Sequence, residues 1–163
     1  MTTGYATGHM DFMDMKWALE KTCEGLTLLA NEVDGYCWEV IQFGNDGRYC
    51  RATTIPLDRD CFDLNKLGQI KQDKGDLDPC FYEGECGEEE SPDCVSYLGL
   101  KWTLQLWTGK RGQEILAVVV TDRDGDEWAP ICITSDGRYH RPKGIHECAG
   151  VALNSRGQIK QAK

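Results

Sequence analysis

The chain has 163 residues, a hydrophobic fraction of 40% and a formal net charge of −9. That length suits one ordinary domain or two small ones, and the apolar fraction suffices for a packed core, which excludes disorder as the dominant state. The acidic balance argues against nucleic acid as a direct ligand; no long apolar run or signal-peptide pattern occurs, so a cytoplasmic protein outside any membrane is expected.

Residues 1–10 lack periodicity and read as a flexible N-terminal arm. Met13, Met15, Trp17 and Leu19 then alternate with polar residues, as a strand with one buried face requires. Leu26–Val33 gives a second strand, Asp34-Gly35 a turn, and a third strand carries Trp38. Asn45-Asp46-Gly47 turns the chain into a fourth strand beginning Arg48-Tyr49-Cys50-Arg51, because tight hairpins need residues that accept positive φ. The first module is thus assigned to 11–72. An acidic segment with three cysteines, 73–95, precedes a second module over 96–163, where Leu98, Leu100, Trp102, Leu104 and Leu106 alternate in turn. Ile115–Thr121 is an unbroken, β-branched run suited to a strand covered on both faces.

The second module repeats the first. Residues 34–55 match 124–145 at ten of twenty-two positions, including Asp-Gly-x-x-Trp and Asp-Gly-Arg-Tyr-x-Arg. The match resumes one residue out of step, with Leu64-Asn65 against Leu153-Asn154 and Gly68-Gln69-Ile70-Lys71-Gln72 against Gly157-Gln158-Ile159-Lys160-Gln161. Two copies are too few for a solenoid. The expected fold is all-β: an internal tandem duplication of a four- to five-stranded antiparallel meander or barrel, the copies related by a pseudo-twofold.

The nine cysteines do not form a duplicated framework, since none is matched between copies; most read as reduced, buried small residues. The nets over 1–72, 73–95 and 96–163 are −4, −8 and +3, so the acidity concentrates in the linker. Its Glu83, Glu85, Glu88, Glu89 and Glu90 form a solvated spacer or a contact for a basic surface.

No chemical motif is strong. Cys80, Cys86 and Cys94 offer thiolates but lack the close knuckle spacing usual for zinc, so metal ligation is only an alternative and no cofactor is expected. Asp122-x-Asp124-Gly125-Asp126 resembles the start of a calcium loop but departs from it after position four. Cys148 with His140 and His146 allows an alternative Cys/His hydrolase-like enzyme in the second copy. The main candidates are instead residues kept in both copies: Lys16/Lys101, Trp38/Trp128, Arg48/Arg138, Tyr49/Tyr139 and Arg51/Arg141. Paired arginines beside aromatic strands suit an anionic group with a stackable ring, because guanidinium binds anions in bidentate fashion and aromatic faces stack on bases. The implied function is non-enzymatic: sequestering an anionic small molecule, a nucleotide among them, or blocking a protein partner, a profile shared with phage and mobile-element inhibitors. A structural or assembly protein packing through β edges and the acidic linker is the alternative.

Overall fold

The computed structural model describes residues 9–22, 25–32, 35–53, 55, 62–72, 89–90, 94–108, 114–142 and 151–162. They form strands and turns. The first half contributes β1 (Met10–Phe12), β2 (Met15–Thr22), β3 (Gly25–Asn31), β4 (Cys37–Gly44) and β5 (Tyr49–Arg51). The second contributes β6 (Glu89–Glu90), β7 (Val95–Tyr97), β8 (Leu100–Thr108), β9 (Glu114–Thr121), β10 (Glu127–Thr134) and β11 (Tyr139–His140). No helix among the described residues is long and apolar enough to cross a membrane.

The chain is all-β, with two antiparallel sheets. Strands β1 to β5 are neighbours in chain order, as are β7 to β11, and β6 adds to the edge of β8 beside β7. The expected strand over 13–19 begins only at Met15: Met13 and Asp14, at φ 54° and 59°, turn β1 into β2, as Leu98 and Gly99 turn β7 into β8. Both residues of so short a turn must take positive φ, which a methionine and a leucine do only under tertiary constraint. Residue 10, assigned to the flexible arm, instead opens β1 opposite Trp17 and is buried; residues 1–8 lie outside the described residues.

Trp17 and Trp102 are fully buried, and their indole N–H groups donate to the Phe12 and Tyr97 carbonyls at 2.8 and 2.9 Å, so neither leaves a polar atom unsatisfied. Each third strand also pairs with its fourth through a bulge, at Leu28/Leu29 against β4 and at Trp128/Ile131 in β10. Pro130 falls inside the second bulge, where a strand tolerates a residue with no N–H.

One hydrophobic core joins both sheets. It runs from Met10, Trp17, Leu28 and Phe43 to Trp102, Leu104, Val118 and Ile131, with the Phe43 and Trp102 rings 5.0 Å apart. The Tyr97 hydroxyl crosses from the second half to donate to the Phe43 carbonyl at 2.9 Å.

The segments after β5 and β11 exchange between halves. Each folds into a small hairpin closed by one bridge, Leu64 to Ile70 or Leu153 to Ile159. Asn65 shapes the first by accepting the amides of Leu67 and Gln69, and Asn154 does the same with Arg156 and Gln158. Each hairpin then lies against the last strand of the opposite half, Gln72 beside Tyr139 and Gln161 beside Tyr49, both in parallel bridges.

Candidate functional site

The retained residues separate into two places. Tyr49, Arg51, Tyr139 and Arg141 meet at the seam where the tails exchange. Alternation along β5 and β11 sends both tyrosines inward, where they are fully buried, and their hydroxyls bond each other at 2.9 Å. Each hydroxyl also reaches the glutamine of the tail beside it, Tyr49 to Gln161 at 3.5 Å and Tyr139 to Gln72 at 3.3 Å. Burial pushes the Tyr49 phenol far above its ordinary range, and the neighbouring Tyr139 adds to that.

Arg51 and Arg141 flank this pair. Arg51 lies over the Tyr139 ring, 5.9 Å from its centroid, and Arg141 over the Tyr49 ring at 5.7 Å. Each donates to a carbonyl of its own tail, Ile70 at 3.2 Å and Ile159 at 3.0 Å. Gln69 and Gln158 return the contact by donating to the Arg51 and Arg141 carbonyls. Among the described residues neither guanidinium has a carboxylate partner, and both Nε atoms are buried without a hydrogen bond. Cation–π contact offsets part of the desolvation of these cations and leaves the Nε hydrogens unmatched.

Arg138 is held differently. It binds Asp63 of the first half at 2.6 Å, with Lys71 completing a triad at 3.5 Å. The hydrogen bond from Arg138 is the main reason the Asp63 carboxyl lies below its ordinary value. Arg48 is half-buried in the equivalent turn.

Lys16, Trp38, Lys101 and Trp128 lie away from the seam. Lys16 is exposed and pairs with Asp11 at 3.0 Å. Trp38 donates to Glu32 at 2.8 Å and stacks on the exposed Tyr36, centroids 5.6 Å apart. Lys101 is exposed and Trp128 half-buried against the core. Beside Lys16 is a crevice of about 720 Å³ lined by residues 11–16, Asn31, Glu32 and Glu114. Its carboxylates, Asp11, Asp14, Glu32 and Glu114, outnumber its one lysine. The alternation that identified β2 carried no sign of it, because Glu114 comes from the other half.

The remaining described candidates lie elsewhere. His140 is buried on the outer face of the second sheet, opposite Cys132. Burial pushes the Cys132 thiol up to about 12, the reverse of an activated thiolate. His146 and Cys148 lie outside the described residues, as do Cys80 and Cys86; Cys94 is exposed. The carboxylates of Asp122, Asp124 and Asp126 gather at one hairpin, but Asp122 accepts the amides of Asp124 and Asp126 at 2.9 and 3.0 Å, which is turn chemistry. The first half closes its corresponding turn by the same backbone bonds, through Glu32, Gly35 and Tyr36. No protein-family model, curated protein or solved structure matches the chain.

Proposed function

We propose that this chain is a non-enzymatic binding protein that takes an anionic small molecule at the seam between two halves descended from a tandem duplication and related by a pseudo-twofold. The observation that carries the reading is the pair Arg51 and Arg141. Two half-buried guanidiniums, without carboxylate partners among the described residues, flank one tyrosine pair in a chain of net charge −9. An anion at either guanidinium would supply the missing counter-charge. The tyrosine rings are buried, so base stacking at the seam is disfavoured, and the phosphate or carboxylate part of a ligand is the part that suits a guanidinium.

A second reading, blocking of a protein partner, is favoured by the crevice beside Lys16, whose four carboxylates suit a basic side chain. One thermal-shift screen separates the two. Inorganic phosphate, nucleotides and small carboxylates are the first arm and a lysine-rich peptide the second. A ligand at one hundred times its Kd stabilises by about 2.7 kcal/mol, roughly 5 to 10 °C for a chain of this size. The anion reading requires such a shift, lost in R51A/R141A while the folded spectrum is kept. Response to the peptide alone would transfer the function to the crevice.

A further inference from the structure

The two tail contacts are built on one backbone frame. Asp63 donates its amide to the Gly137 carbonyl at 3.1 Å, Lys71 to Asp63 at 2.9 Å, and Tyr139 to Lys71 at 3.1 Å. In the other contact Ala152 donates to Gly47 at 3.0 Å, Lys160 to Ala152 at 2.9 Å, and Tyr49 to Lys160 at 3.1 Å. The three bonds correspond one to one. Arg138 and Lys71 in the first frame therefore occupy the places of Arg48 and Lys160 in the second.

The difference is the residue between the cations. Asp63 accepts from Arg138 at 2.6 Å and pairs with Lys71 at 3.5 Å. Its counterpart is Ala152, which ends at a methyl group. Arg48 and Lys160 are half-buried, and among the described residues neither side chain has a hydrogen bond or ion pair. We infer that Arg48 and Lys160 form a binding site for the carboxylate of a ligand, occupying the position that Asp63 fills from within the chain in the other half. The ligand class is read from the molecule's own occupant: one carboxylate, accepting from a guanidinium Nε–H on one side and an ammonium on the other. Ala152 brings no carboxyl group to the equivalent position and is itself partly exposed to solvent. The inference rests on the anion-binding reading in kind but uses different cations from Arg51 and Arg141, so each can fail alone.

The test is a titration of the full chain with sodium succinate at constant ionic strength, followed by nuclear magnetic resonance at the arginine Nε–Hε groups and backbone amides. Saturable shifts are expected at the Arg48 Nε–Hε and the amides of Tyr49 and Ala152. R48Q and K160A should each weaken binding at least tenfold, and R51A/R141A should leave the Arg48 response in place. A152D, which supplies the carboxylate in cis, should abolish it, and D63A should create a second saturable response at Arg138. A blocked peptide carrying one aspartate is the parallel arm: tighter binding than succinate identifies a protein side chain as the source, weaker binding a free acid. No saturable shift at Arg48, or an undiminished one in A152D, overturns the site. If D63A does not fold, the A152D comparison decides alone.

Discussion

The two sheets share register and turns yet differ on their outer faces. In β9, Ile115, Ala117 and Val119 are buried although they point away from the common core, and with Ala129 and Cys132 they make a second apolar cluster. The corresponding face of the first sheet carries Ala18, Glu20, Thr27, Leu29, Glu39, Gln42 and Cys50, of which only Ala18 and Thr27 are buried. One frame thus supports a sheet covered on both sides and a sheet covered on one. The inward positions are set by the shared core, while the outward ones are free to diverge.

The largest effect should come from charging this contrast. Val119→Asp places an unpaired carboxylate where no water reaches, at a cost of at least ~4 kcal/mol, a large part of the total stability of such a chain. Leu29→Asp, at the equivalent half-exposed position, should cost about 1 kcal/mol. Urea unfolding of both variants measures the difference. Similar losses would mean that the outer face of the first sheet is as closely covered as that of the second.

Where the halves agree, the expected effect is smaller and symmetric. Tyr49→Phe and Tyr139→Phe each strand one buried hydroxyl and should each cost about 1 to 2 kcal/mol, softened by the glutamine beside the survivor. Removing both hydroxyls leaves nothing stranded at the pair, so the double variant should cost less than the two singles together by about 1 kcal/mol. Additive losses in the same unfolding assay would show that the hydroxyl contact contributes little.

These features were unequally legible in the sequence. Period-two alternation and paired Asp-Gly turns gave the strands, because each strand of a half-buried sheet is encoded locally. The two-sided burial of Ile115–Thr121 was readable for the same reason, from its unbroken β-branched run. The hairpin at Met13-Asp14 was not, since methionine is not a usual carrier of positive φ and no glycine marks the turn. The arginine and tyrosine pairs were legible because the same residues recur at matching positions in both halves of the sequence. What that could not reveal was the exchange of tails, which sets Gln72 and Gln161 on the opposite tyrosines and turns Asp63 toward Arg138 across seventy-five positions of sequence. Long-range partners of this kind leave no local pattern. Asp63 was the hardest to read, because its significance lies in a mismatch with Ala152.

That mismatch yields the smallest and most specific effect. The Asp63 carboxyl is held below its ordinary value by Arg138 first and by Lys71, so the folded state favours the ionised form. A lowered pKa in the folded state contributes stability that is present in full above the unfolded value, near 3.9, and is lost as pH falls through the folded value. The stability difference between the natural chain and Asp63→Asn should therefore be constant from neutral pH down to about 5 and shrink below pH 4. Because the triad is partly open to solvent, added salt should reduce the difference as well. Ala152→Asp should add a second increment with the same acid limit if Arg48 and Lys160 hold a carboxylate as Arg138 and Lys71 do. An increment indifferent to acid would trace the gain to packing, and the likeness between the two frames would then end at the backbone.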